Sequence, residues 1–175
     1  MNMTATVDKA TTPEAESYQV LTFVLGDETY GVDILRVQEI RGWSAVTKIP
    51  KAPSHVLGVL NLRGSIVPIV DLRKRLNLEQ AQYTAVTVII VLSVHAASGR
   101  RDCGVVVDGV SDVVDVKTAD VKAAPTLGAS RATDYLRGLV AIAERMVVLL
   151  DIDRLIGLEI AAGDTAESGA AADAA

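Results

Sequence analysis

Apolar residues in this chain come in short bursts of strand length, alternating with polar residues or running unbroken, and they do not recur at helical spacing. Val, Ile and Thr fill these segments between Gly, Asp and Asn punctuation. The pattern predicts strands over Tyr18–Leu25, Tyr30–Ile40, Val56–Leu62, Ile66–Asp71, Ala85–Val94, Cys103–Val107, Val110–Val116, Leu136–Ile142 and Met146–Asp151. Turns fall at Gly26-Asp27-Glu28, Arg63-Gly64, Gly99-Arg100-Arg101-Asp102 and Glu144-Arg145. Runs such as Val88-Ile89-Ile90-Val91-Leu92 are apolar on both faces, which suits closed or doubly packed sheets. Closure also removes edges that a Val-rich chain would offer to aggregation. Helix is confined to Asp71–Leu76 and Asp151–Ile156, each opened by an Asp able to cap free N–H groups. A further turn is expected over Ser130–Tyr135, and Ala119–Ala129 reads as an irregular connection.

The pattern occurs twice. Gly58 to Asp71 and Gly138 to Asp151 span the same interval, with matching apolar runs between the anchors. Gly31 to Ile40 matches Gly104 to Val113 in the same way, so the chain reads as two copies of one small β unit. Each copy is marginal for folding alone, and the two are expected to share an interface or exchange strands. The boundaries expected are 18–159 for the folded body, with copies over 18–83 and 84–157, and mobile polar tails over 1–17 and 160–175. Pro68 has no N–H for a ladder and is expected at an edge or bulge. Its counterpart is Val148, so one unit could be open where the other is closed.

Composition narrows the function. The 175 residues are 50% apolar, enough to fill a core, while net charge is −5 and aromatics reach only 3%. Nucleic-acid binding calls for a basic face and stacking rings, and the chain supplies neither. One cysteine, Cys103, excludes an internal disulfide and fits a reducing cytoplasm. No apolar run approaches the roughly 20 residues of a spanning helix, so no direct membrane insertion is expected.

An enzyme reading lacks its residues. His55 and His95 have no Cys or carboxylate neighbours at metal-ligand spacing, and both read as solvated loop residues; no metal or other cofactor is expected. Cys103 beside Gly104 reads as a small buried hydrophobe. Asp108 and Asp112 read as solvated turn carboxylates. The difference between the copies says more: Arg63 at a hairpin tip aligns with Ala143. A residue kept for packing tends to repeat with the fold, whereas an arginine needed for one partner need not. Glu39 is the obvious carboxylate for it, with an isolated solvated arginine as the alternative.

Three long stretches carry a resemblance. Leu25–Gly42 (LGDETYGVDILRVQEIRG), Gly58–Arg73 (GVLNLRGSIVPIVDLR) and Gly104–Val113 (GVVVDGVSDV) resemble, in this order, the CheW family of chemotaxis coupling proteins. The resemblance implies an all-β fold of two SH3-like five-stranded β-barrels around a shared hydrophobic core. It implies a non-catalytic cytoplasmic scaffold between the helical hairpin tips of methyl-accepting chemoreceptors and the regulatory domain of the histidine kinase CheA. Carried residue by residue, the receptor-facing positions are Val37, Glu39, Ile40, Gly58, Arg63, Val88, Gly104, Val110 and Val113, with Glu39 and Arg63 as a charged pair. Kinase-facing residues are not assigned; the stretch Leu136–Leu150 is the first place to look. His95–Arg101 departs from the family as a longer hairpin with two added cations. The competing reading is a β-barrel that holds a small molecule or peptide in the groove between its halves.

Overall fold

The computed structural model describes residues 16–79, 82–125 and 134–156. The expected tails lie outside these residues except at Glu16 and Ser17, and so do parts of the expected 119–129 connection and 130–135 turn. Ten strands follow in order: β1 (Ser17–Leu25), β2 (Glu28–Asp33), β3 (Val37–Gly42), β4 (Val56–Leu62), β5 (Ser65–Asp71), β6 (Val88–Ala96), β7 (Gly99–Val107), β8 (Gly109–Lys117), β9 (Leu136–Ile142) and β10 (Arg145–Leu150). Helix α1 (Leu72–Arg75) follows β5, and a second short helix, α2 (residues 152–156), follows β10.

The strands form two five-stranded sheets, ordered β8-β1-β2-β10-β9 and β3-β6-β7-β5-β4. We call them the first and second sheet. Each takes two strands from one half of the chain and three from the other, so the halves exchange strands. The repeat holds to the level of register. Val37 faces Leu92 and Ile40 faces Ile90 across β3 and β6, while Val110 faces Phe23 and Val113 faces Leu21 across β8 and β1. Both ladders carry a register shift at the same place, between Val37 and Glu39 and between Leu21 and Phe23.

Period-two alternation explains the doubly apolar strands. Ile89 and Val91 of β6 point into a small cluster inside the second sheet, with Val67, Ile69 and Val106. Their neighbours Ile90, Leu92 and Val94 point the other way, into a core shared with Leu21, Phe23 and Leu25 of the first sheet. Val20, Val116, Val140, Val147 and Leu149 fill the interior of the first sheet. Phe23 and Leu92 are both fully buried in the shared core, and each such side chain contributes about 1.5–3 kcal/mol. Both short helices cap this core, through Leu72 and through Ile152, Leu155 and Ile156. Asp71 accepts from the N–H groups of Arg73 and Lys74, and Asp151 from that of Arg154, so the expected Asp caps are present.

Several expectations need correction. Tyr30–Ile40 is two strands in different sheets, divided by a 3-10 turn over Ile34–Arg36 that is capped by the Asp33 side chain, which accepts from the Leu35 N–H. Ala85–Thr87 precede β6 as a turn. Gly99–Asp102 is strand: β6 and β7 pair down to Ala96 opposite Gly99, leaving the turn on Ala97-Ser98. Pro68 lies on β5, an interior strand. Its missing N–H is tolerated because the parallel ladder to β7 begins one residue later, at Ile69, whereas Val148 pairs with Tyr30 inside the equivalent ladder. The two sheets follow the same equivalent strand order, so this difference leaves neither with a strand missing.

Candidate functional site

Seven of the nine positions singled out in the sequence offer side chains near a surface. Val37, Glu39 and Ile40 lie on β3, an edge of the second sheet, and Val110 and Val113 on β8, an edge of the first. Val37 and Val110 are half-buried against the shared core, as is Val88 at the start of β6. Ile40 and Val113 stand out at 46% and 49% exposure. Each edge thus repeats one motif: a Val anchored on the core, an acid two positions on, and an exposed β-branched residue after it. An exposed apolar edge strand invites a partner, since its backbone groups and its side chains both lack cover.

Gly58 and Gly104 are buried and present no side chain. At Gly58, where φ is +149°, a Cβ would lie 2.1 Å from the Thr47 carbonyl oxygen, so the glycine lets the incoming loop bridge to β4. At Gly104 a Cβ would meet Ile69 at 2.5 Å, as one at Gly31 would meet Val20 in the other sheet. Packing therefore accounts for both positions.

Glu39 and Arg63 are not brought together as an ion pair. Glu39 lies 4.0 Å from Arg41 on its own strand. Arg63 occupies the tip between β4 and β5, exposed, with φ +54° followed by Gly64 at +86°. Asn61 holds that turn by accepting from the Gly64 N–H at 2.9 Å. The equivalent tip carries Ala143 and Glu144, both at positive φ, so the backbone repeats while the cation does not. Arg63 has no side-chain partner among the described residues. Beyond each tip a large apolar residue is exposed, Ile66 in one half and Met146 in the other.

Cys103 is fully buried, as expected, and the histidines meet expectation in part, His55 lying on a turn and His95 being exposed. His55 is half-buried, its carbonyl accepting from the Asp71 N–H at 2.7 Å. His95 lies on β6 rather than in a loop, with its imidazole 3.5 Å from Asp153. Among the described residues no group of His, Cys, Asp and Glu is placed to hold a metal ion.

The CheW-like domain family model matches residues 19–159, most of the chain. The chain belongs to the CheW family. It is 46% identical to the chemotaxis protein CheW of Klebsiella aerogenes over 155 residues, 89% of this chain and 90% of that protein. The chemotaxis protein CheW of Rhizobium meliloti is 39% identical over 141 residues, 81% of this chain and 88% of its own. Among solved structures, the scaffolding protein TtCheW of Thermoanaerobacter tengcongensis superposes with a TM-score of 0.72 at 26% identity, covering 81% of this chain and 93% of that one.

Sequence reasoning missed two ion-paired carboxylates of this CheW-family chain. Asp108 is no solvated turn residue: Arg73 Nε donates to its Oδ1 at 2.7 Å, Arg73 Nη2 and the Gly26 N–H to its Oδ2. Burial pushes the Asp108 carboxyl up, but Arg73 and the Gly26 N–H outweigh it and hold it below the usual carboxylate range. The bond to Asp108 in turn raises Arg73. Asp153 accepts from both terminal nitrogens of Arg36, the closer at 2.7 Å, and from the His95 N–H at 2.8 Å. It too sits low, its burial outweighed by the His95 N–H and Arg36. Arg36 and Asp153 also line a cleft with Asp33, Arg137, Leu150, Asp151 and Ile152. That wall is largely polar and three of its charges, Arg36, Asp151 and Asp153, are already paired, so this cleft offers a small molecule little apolar surface.

Proposed function

We propose that this protein is a chemotaxis adaptor that couples the cytoplasmic hairpin tips of methyl-accepting receptors to the histidine kinase CheA. It works in the cytoplasm and is recruited to the inner face of the membrane through the receptors. The observation that carries this reading is the pair of repeated edge strands, each with an anchored Val and an exposed apolar residue, in a chain of the CheW family. A receptor helix lays its apolar face on Val37, Ile40, Val88, Val110 and Val113. Glu39 and Arg63, unpaired with each other, meet charges on the receptor. They fix its orientation more than they add affinity, because exposed ion pairs contribute about 0–1 kcal/mol. Gly58 and Gly104 shape the backbone beneath this surface.

The kinase's regulatory domain packs on the β9–β10 end, within Leu136–Leu150, where Met146 is 53% exposed. Coupling needs no bond made or broken by this chain; it needs both partners held in one relative pose. Binding of a receptor signalling fragment to Val113→Asp and Ile40→Asp variants tests the assignment. Both should bind at least about tenfold more weakly, since a charge replaces buried apolar contact at the interface centre. Wild-type affinity in both variants would remove the edge strands from the interface.

A further inference from the structure

The two arginine–aspartate forks occupy equivalent places in the repeat, with their polarity reversed. Leu25 pairs with Glu28 at the end of the β1–β2 hairpin, and Val94 with Arg101 at the matching point of β6–β7. The next residues, Gly26 and His95, therefore correspond, as do Val24 and Ser93 before them. In one half the Gly26 N–H donates to the Asp108 carboxylate, and the Val24 carbonyl accepts from the Asp108 N–H at 3.1 Å. In the other, the His95 N–H donates to the Asp153 carboxylate, and the Ser93 carbonyl accepts from Arg36 at 3.2 Å. Each carboxylate is then gripped by a forked arginine. Asp108 lies at the crossover from β7 to β8 and its arginine, Arg73, on α1. Arg36 lies at the crossover from β2 to β3 and its aspartate, Asp153, on α2.

Both forks bridge the sheets. Arg73 belongs to the helix that leaves β5 of the second sheet, and the carboxylate it holds caps β1 of the first. Asp153 belongs to the helix that leaves β10 of the first sheet, and it caps β6 of the second. Among the described residues the chain passes between the sheets at just two crossovers, from β2 to β3 and from β7 to β8. An apolar core resists separation but is poor at choosing one angle, because hydrophobic contact is non-directional. Forked arginine–carboxylate pairs supply the direction.

We propose that Arg36, Asp153, Arg73 and Asp108 are positioning residues that fix the angle between the two sheets, and with it the relative placement of edge strands β3 and β8. The consequence for coupling rests on the adaptor reading; the angle itself does not.

The test uses the full chain with spin labels on Ser65→Cys of β5 and Ser111→Cys of β8, both exposed, one in each sheet. Cys103 is fully buried and is left unlabelled. The unaltered forks should give one narrow distance distribution. Asp108→Asn and Asp153→Asn should each broaden or shift it, and the double variant more than either. Arg73→Lys, which keeps the charge and loses the fork, should also broaden it if Asp108→Asn fails to fold. Arg73→Asp combined with Asp108→Arg recreates the polarity of the other half and should restore the narrow distribution. Unchanged distributions in the single and double variants would overturn the proposal by showing that the core alone sets the angle. A swapped pair as broad as Asp108→Asn would overturn it as well. Melting temperatures recorded alongside separate loss of angle from loss of stability, and neither readout involves receptor or kinase.

Discussion

The Tyr83 hydroxyl donates to Asp71 Oδ2 at 2.6 Å, from a ring stacked on Trp43 with centroids 4.2 Å apart. The other carboxylate oxygen of Asp71 caps α1, so one acid ties the strand–helix junction to the connection that leads into β6. Burial and then the Asp71 carboxylate push the Tyr83 phenol well above its ordinary value of 10.0. A raised folded value means stability that is fully present below about pH 10 and lost as pH rises through the folded value. Tyr83→Phe keeps the stack and loses the bond, and should cost about 1 kcal/mol in urea unfolding at neutral pH. The gap from wild type should shrink above pH 10, since the wild type then loses what the variant never had. Tyr30, also raised by burial, should leave both proteins with a common alkaline loss. A gap that stays constant to high pH would detach Tyr83 from Asp71.

On the acid side the sign reverses. Asp108 and Asp153 are held below the carboxylate value of 3.8, so their stabilisation is present above that value and lost as pH falls through the folded one. Asp108→Asn should cost about 1–2 kcal/mol at neutral pH, after allowance for its partial exposure. Unfolding curves of variant and wild type should converge only below the ordinary carboxylate value of 3.8, as the wild-type carboxyl protonates. Convergence already at pH 5 would contradict the depressed value.

Glycine and arginine positions should separate cleanly. Gly58→Ala places a Cβ against the Thr47 carbonyl at a positive φ and should cost more than about 1 kcal/mol of stability, with any loss of receptor binding following from that. Arg63→Ala removes an exposed side chain and should stay within about 0.5 kcal/mol of wild type in stability. Its affinity for the receptor fragment should still fall. A large drop in melting temperature for Arg63→Ala would make that residue structural.

The strands were legible because period-two alternation and Gly punctuation survive in the sequence, and the repeat was legible because Gly58, Gly138, Asp71 and Asp151 hold one interval. The break inside Tyr30–Ile40 was not, because Ile34 and Leu35 look like strand residues; only the Asp33 cap marked it. The β6–β7 hairpin was misread because two arginines and an aspartate resemble a turn. In fact they lie on a two-stranded extension that outruns both neighbouring strands, where charged side chains can reach solvent. The edge-strand residues were found from the family motifs. The Asp108 and Asp153 forks were invisible because their arginines lie 35 and 117 residues away in sequence, and only the strand exchange brings them together.

The most direct test of the adaptor reading is co-sedimentation of CheA with receptor-bearing membranes, with and without this protein. The account predicts kinase in the pellet only when the protein is present, and less of it with Val113→Asp. Equal recovery of kinase in its absence would contradict the account.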